Sequence, residues 1–467
     1  MNTVARARPD VRIGITFATL LVALALGQLL RVPVFSTAVK SAPILGIDIA
    51  VALLWLSLLV QIIFKSTVPE GSTSLLAVTF AVWALTGDIL TAVRYDFSTA
   101  QFLFSAGYLA RWLFYFGVYA WARVHFDNVD GLVRALSVLR TTILVIASFG
   151  ILQAAFLPNF AFIVYPNAVP YETWDPQGNR LVSTLLDPNF AGSLIGMGAL
   201  LSLPRALRRV PHALTHFTIL LIAVFLTASR GAVLGFMAGA LVLLTALKPS
   251  GKIRLGMQLT AALLVAVAVA AGASWFSDTP GVVGAASSFL RNYNKLTVTD
   301  PSALTRILQW KTDLDVVASH PLTGIGFNTW GFVQRFFGFY RVDNAAFGMD
   351  GGLLVIAALT GIIGLTIFLT MASLPIARGF RIARQPSLPN EIRDLGASVA
   401  GSTTLWLMQG FFVATLTYPF LLVIVWLLWA WVDNAWKHSK IGPVPYFSTS
   451  DSQSGSTTTR EEIARQT

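Results

Sequence analysis

Long apolar runs, each near the length of a membrane-crossing helix, follow one another along this chain and are interrupted by one polar, Gly/Asn/Asp-rich stretch at 277–349. A helix needs about 20 mostly apolar residues to cross a ~30 Å hydrocarbon layer, and it satisfies its own backbone hydrogen bonds there. The pattern predicts spans near 13–34, 44–64, 74–93, 102–122, 136–157, 190–207, 213–228, 231–247, 256–276, 351–374, 395–416 and 418–436. Two pairs are joined by almost nothing, Ser229-Arg230 and Thr417. Were either pair one kinked helix, every later segment would change sides.

The expected fold class is therefore all-α, a polytopic membrane protein of about 12 transmembrane helices with a large outer loop containing short helices. Residues 1–276 carry helices 1–9, 277–350 the loop domain, 351–440 helices 10–12, and 441–467 a disordered cytoplasmic tail. Composition agrees: 55% of residues are hydrophobic and only 12% charged, which excludes a soluble domain. The first run continues past signal-peptide length without a small-residue cleavage pattern, so it reads as a retained helix. No cysteine is present, which removes disulfides and thiolate chemistry.

Charge sets the orientation. With the N-terminus inside, the inner segments hold most of the basic residues, among them Arg123, Arg134, Arg205, Arg208, Arg209, Arg378, Arg381, Arg384, Arg393 and Lys437, while the short outer loops hold very few. The net charge of +11 is thus mostly a topology signal, although Arg205, Arg208 and Arg209 would also sit well against anionic lipid heads. Nucleic acid is a poor partner, because the cations form no single face.

The outer side keeps two sizeable loops, 158–188 and 277–349, and one charged hairpin tip, Arg230 in LTASRGAVLGF, where Gly231 is expected to make the turn. Arg180 in GNRLVSTLLDPNF and Arg306 in ALTRILQWKTDL fall on the same side. Three planar, permanently charged donor forks near one surface suit a phosphate anion. Each arginine also has a plainer reading, as a snorkelling interfacial residue or a solvated loop charge. The stretch after Arg306 predicts an amphipathic helix with Leu304, Ile307, Leu308, Trp310, Leu314 and Val317 on its apolar side, closed by His320-Pro321, and Gly324 and Gly326 then allow a tight turn. His320 suits a cap better than a ligand, because no second His or carboxylate stands at metal-binding spacing, and no metal motif or P-loop appears. Asp350, at the outer start of a span, is either placed by the helix dipole or is a base that accepts a proton from an incoming hydroxyl. Asp343 and Asn344 compete for that role, and Lys311 and His320 are supporting candidates. Within the bilayer, Asp88 and Arg111 are expected to pair with each other.

LTASRG at the hairpin, R-x-x-x-W-K, SHPLTGIGFNTW, and a polar residue ahead of LLVIAALTGIIGL stand in an order that resembles the O-antigen ligase and O-antigen polymerase superfamily over roughly 180–364. The resemblance implies a membrane-embedded glycosyltransferase of the C type, without cofactor or metal, in a bacterial inner membrane with its active site facing the periplasm. Its donor and acceptor would be undecaprenyl-diphosphate-linked oligosaccharides of O-antigen, capsule or exopolysaccharide. Membrane lipid, a chain-length regulator and a flippase are the implied partners. The family's paired arginines fall on Arg230 and Arg306, which would hold the donor diphosphate, with Arg180 as an auxiliary contact. The family's ligases carry a His-Asn pair nine residues before Gly-x-x-Gly; at that spacing from Gly361 and Gly364 this chain has Asp350-Gly351. The missing histidine leans toward the polymerase branch, with a ligase transferring glycan to lipid A-core as the alternative. A transporter or flippase of lipid-linked glycan is the reading of a different class. It would place polar groups near the midplane in repeated halves, whereas here they lie at one interface and no halves are seen.

Overall fold

Apolar runs of spanning length become helices, and glycine, proline and short polar caps set where they end. The computed structural model describes residues 11–36, 41–65, 71–165, 179–247, 301–338, 349 and 351–441. The expected span at 256–276, the parts of the loop at 277–300, 339–348 and 350, which hold Asp343, Asn344 and Asp350, and the tail beyond Ile441 lie outside the described residues. Helices α1 (Val11–Leu26), α2 (Gly46–Lys65), α3 (Ser72–Arg94), α4 (Thr99–His125), α5 (Val129–Phe156) and the short α6 (Phe160–Val164) come first. They are followed by α7 (Pro188–Leu207), α8 (Ala213–Leu226), α9 (Arg230–Leu247), α10 (Pro301–Ser319), the short α11 (Trp330–Val333), α12 (Gly352–Ala383), α13 (Asn390–Gln409) and α14 (Pro419–Ile441).

Seven of the described helices, α2, α3, α5, α7, α9, α12 and α14, are long and apolar enough to cross a bilayer. The chain is an all-α, multi-pass membrane protein. Helix α13 is of similar length but rich in small polar residues, and it buries Ser398, Ser402 and Thr403 against its neighbours. Peripheral α2 and α3 turn Ile49, Leu56, Ile63, Leu75 and Val82 outward, as lipid-facing helices do, whereas α14 is buried along almost its whole spanning stretch. Its indoles Trp426, Trp429 and Trp431 fill the centre of the core. Between α9 and α13 the packing is closer than most side chains allow. A Cβ on Gly239 would come within 2.5 Å of the Gly401 carbonyl oxygen, and one on Gly401 within 2.6 Å of that of Gly239.

Both doubtful pairs are separate helices, α8 from α9 and α13 from α14. The first run, however, is not helical to residue 34. Helix α1 stops at Leu26, because Gly27 takes φ +54° where the chain passes the Thr184 backbone, and β1 (Arg31–Ser36) then pairs antiparallel with β2 (Ser41–Leu45). The Asp88–Arg111 pair is also overturned. Arg111 binds Asp48 at the start of α2 through two donors, at 2.6 and 3.2 Å, and Tyr115 donates to the same carboxylate. Asp88 instead accepts from the backbone N–H of Phe327. Helices α2 and α4 pack side by side, which puts Asp48 within the reach of Arg111.

The two ends of the bundle differ. At one, the starts of α7, α9, α12 and α14 meet the last turns of α8 and α13. At the other, Lys437 lies 3.5 Å from Asp127, Arg208 pairs with Asp394, and Arg384 donates to the Thr245 carbonyl at 3.2 Å. That second end also holds a buried cluster: Asp433 accepts from Thr73 at 2.8 Å and Tyr119 at 2.7 Å and pairs with Arg378, joining α3, α4, α12 and α14. Removing one member leaves a buried charge without compensation. Asp433→Ala should therefore lower stability by about 3–5 kcal/mol, read as a large drop in melting temperature in detergent. An unchanged melting temperature would remove the cluster from any structural role.

Candidate functional site

The site is built at the end where α7, α9, α12 and α14 begin. Helix α7 starts in DPN: Pro188 takes the first helical position and the Asp187 carboxylate accepts from the N–H groups of Asn189 at 2.7 Å and Phe190 at 3.1 Å. Just upstream, the Arg180 segment is held in place from two sides. The Leu181 N–H donates to the Leu226 carbonyl at 3.0 Å, and the Gln153 side chain on α5 bonds the Arg180 carbonyl (3.4 Å) and the N–H groups of Val182 (3.0 Å) and Ser183 (3.1 Å). Arg180 is buried, 8% exposed, beside the last turn of α8.

Leu226 leads directly into the turn that carries Arg230. That turn is made by Thr227–Ser229 with Ala228 at φ +51°, and not by Gly231 as expected from the sequence. Gly231 lies in the first turn of α9, where Phe412 packs against it. Ser229 caps α9, accepting from the Ala232 N–H at 3.3 Å, and donates to Asn189 Oδ1 at 2.8 Å. Asn189 also accepts at its carbonyl from Gln409 Nε2 at 2.8 Å, and Ser193 donates to Gln409 Oε1. A mesh of uncharged polar groups on α7, α9 and α13 thus fixes the first turn of α9, with Arg230 as its first residue. The N-termini of α7, α9, α12 and α14 lie at this end, each the partially positive end of its helix dipole, offset at α7 by the Asp187 carboxylate that caps it.

Helix α10 reaches the same place. Its Trp310 sits 6.2 Å, centroid to centroid, from Phe412, and a Cβ on Gly351 would be 2.9 Å from the Trp310 Nε1. Arg306 lies four residues before Trp310, on the same face of the helix. Its side chain is outside the described residues. Contacts therefore connect the Arg180 segment, the Arg230 turn, the Arg306-bearing helix and Gly351, the neighbour of Asp350. The apolar face of α10 differs from expectation. Ile307, Leu308 and Leu314 are 49%, 58% and 55% exposed, while Asp313 is 1% exposed beside buried Val316. The exposed side of α10 is as apolar as its packed side, so hydrophobicity alone does not mark which side packs. Lys311 is exposed.

His320 is not brought to the arginines. It closes α10 about 15 Å along the helix from Trp310, where Tyr95 bonds its Nε2 at 3.1 Å and Ser319 its Nδ1 at 2.9 Å. Burial, and then the charge of Arg94, lowers its pKa. Beyond it, the HPLTGIGFN loop docks into a break in α12. Gly361 there has φ +70° and ψ −178°, and the freed backbone pairs with the loop: Ile362 N–H to Pro321 O at 2.8 Å, Ile325 N–H to Ala358 O at 3.0 Å, and Gly326 N–H to Leu359 O at 2.9 Å. Gly324 and Gly326 take positive φ, and Trp83 donates to the Thr360 carbonyl at 2.9 Å. Beside the docked loop, a cavity of about 250 Å³ is lined by Tyr108, Arg111, Trp112, Asn328, Met349 and Thr417. It adjoins the residue before Asp350.

Residues 216–369 match the family model described as O-antigen ligase. The match covers about a third of the chain, and over that stretch the chain is similar to the O-antigen ligase family. The matched stretch includes Arg230, Arg306, the docked loop and the break at Gly361. No curated protein matches the chain. The match supports a membrane glycosyltransferase function of the O-antigen ligase/polymerase type. Gln153, Asn189, Ser193 and Gln409 are inconspicuous in the sequence, being uncharged polar residues inside or beside apolar runs. Only DPN, as a helix-start pattern, pointed toward them.

Proposed function

We propose that this protein is a polymerase that joins undecaprenyl-diphosphate-linked oligosaccharide repeats of O-antigen, capsule or exopolysaccharide, acting on the periplasmic side of a bacterial inner membrane. The observation that carries the reading is the meeting, at one end of the bundle, of the Arg180 segment, the Arg230 turn and the helix bearing Arg306. In this reading, Arg230 and Arg306 hold the donor diphosphate and Arg180 assists them. The bond from the anomeric carbon to the diphosphate oxygen breaks, and its electron pair leaves with the diphosphate. Fixed guanidinium groups and helix N-termini stabilise that growing charge. The acceptor hydroxyl attacks from the opposite face, its proton passes to the Asp350 carboxylate, and the anomeric configuration inverts. The cavity beside Met349 receives one of the reacting sugars. The aromatic faces of Tyr108 and Trp112 and the donors of Arg111 and Asn328 fit a ring that is apolar on its faces and polar at its edge.

Asp350→Asn should reduce turnover by about 100-fold or more while leaving donor affinity nearly unchanged, because it removes a proton acceptor and no binding charge. Unchanged turnover would return Asp350 to a helix-start role. The family description, O-antigen ligase, favours the second reading, in which finished glycan is moved to lipid A-core. The deletion phenotype separates the two. Loss of a polymerase leaves a single repeat on the acceptor, whereas loss of a ligase leaves the acceptor bare.

A further inference from the structure

At the end of the bundle opposite Arg230, a cavity of about 290 Å³ opens between α5, α7 and α13, lined among others by Val133, Arg140, Arg205, Arg208, Glu391 and Asp394. Three guanidinium groups face two carboxylates. One carboxylate is already engaged: Asp394 pairs with Arg208, which also donates to the Asn390 carbonyl at 3.4 Å. Arg140 and Arg205 make no ion pair or hydrogen bond among the described residues, and Glu391 lies beyond ion-pair distance of either. Arg140 stands on a membrane-spanning helix, where a guanidinium whose nearest carboxylate, Glu391, is not in ion-pair contact is costly. Burial, and then the charges of Arg393 and Arg205, holds the Arg208 pKa below its ordinary value despite Glu391. The cavity is thus built with an excess of fixed positive charge, as a site that receives an anion would be.

Its surroundings indicate which anion. A smaller adjoining cavity, about 80 Å³, shares Arg140 and Arg205 and reaches Ser137, Thr141, His216 and Leu220. From there the surface of α5 and α8 turns apolar and outward through Val138, Val145 and Leu214. Cations thus form the floor at the helix ends, and a hydrocarbon-like wall runs from it along the bundle. That combination fits an amphiphile with a phosphate at its polar end, and two convergent planar forks are the geometry that phosphate oxygens accept best. We propose that this cavity binds the phosphate of an anionic phospholipid headgroup, with the acyl chains lying along α5 and α8. The site is separate from the glycan-transfer end and does not depend on the reading given for it.

The test uses the full chain, purified, delipidated and returned to phosphatidylcholine nanodiscs with or without phosphatidylglycerol, with bound lipid counted by native mass spectrometry. The wild type should retain phosphatidylglycerol over phosphatidylcholine by about tenfold, a preference of the size one charge-assisted contact gives. Arg140→Gln with Arg205→Gln should lose it, and Arg205→Gln alone, at a helix end where folding is least at risk, should lose most of it. Arg134→Gln removes an exposed charge on α5 outside the cavity and should leave the preference intact. A parallel arm adds inorganic phosphate or pyrophosphate and reads thermal stabilisation, which should be absent. No preference in the wild type, an equal loss in Arg134→Gln, or stabilisation by free pyrophosphate that the cavity variants abolish would each overturn the lipid assignment.

Discussion

Arg230→Ala and Arg306→Ala are each expected to lower glycan transfer by about 100- to 1,000-fold, the scale of losing one preorganised donor to a developing anion. In cells, either variant in a deletion background should give a single repeat where the wild type gives a ladder, with the protein inserted in the membrane at normal level. The physical reason is specific to the leaving group. A diphosphate gains negative charge as the glycosidic bond breaks, and a fixed guanidinium in a site of low dielectric stabilises that charge more than it stabilises the ground state. Lysine keeps the charge but not the planar fork, so Arg230→Lys should restore only part of the activity. Arg180→Ala should cost less, because Arg180 is placed as an auxiliary contact. Wild-type ladder length in either principal variant would return that arginine to an interfacial charge.

The second large effect is expected at a residue with no chemistry of its own. Gly361→Ala should destabilise the protein by about 3 kcal/mol or more and abolish transfer, through the docked loop. The backbone at 361 lies in a region that residues with a Cβ avoid, and a Cβ there would overlap the Leu322 carbonyl. The helix break lets α12 exchange hydrogen bonds with HPLTGIGFN, and Asp88 on α3 caps the end of that loop at Phe327. Losing the break would expel the loop from α12 and release Asn328 and Trp330 from the cavity wall. Near-native activity in Gly361→Ala would show that the break is not needed.

The layout of spanning helices was legible because a membrane helix must be apolar over a length fixed by the bilayer, and that constraint leaves a mark no soluble helix shows. Arg230 was legible for the related reason that a charge between two apolar runs is conspicuous. What failed was pairing and facing. Asp88 and Arg111 were the two conspicuous charges within adjacent spans, but a sequence does not say which neighbour a helix packs against, and the partner of Arg111 is Asp48 in the first turn of α2. On α10, hydrophobicity pointed to Trp310, which does pack, but also to Ile307, Leu308 and Leu314, which are exposed, while Asp313 and Val316 are buried. The mesh of Asn189, Ser193, Ser229 and Gln409 left no trace beyond the helix-start pattern at DPN, because uncharged polar residues are common in buried helices and only tertiary contact gives them a role. The hairpin at 31–45 was missed because one glycine with positive φ ended a helix that hydropathy alone would have continued.

The grip on a diphosphate is tested most directly by equilibrium binding of undecaprenyl diphosphate and undecaprenyl monophosphate to the purified protein and to Arg230→Ala. The wild type should prefer the diphosphate by about tenfold or more, the worth of one charge-assisted contact to the second phosphate, and that preference should collapse in the variant while monophosphate affinity changes little. An equal preference in both proteins would contradict the assignment of this end of the bundle to the leaving group.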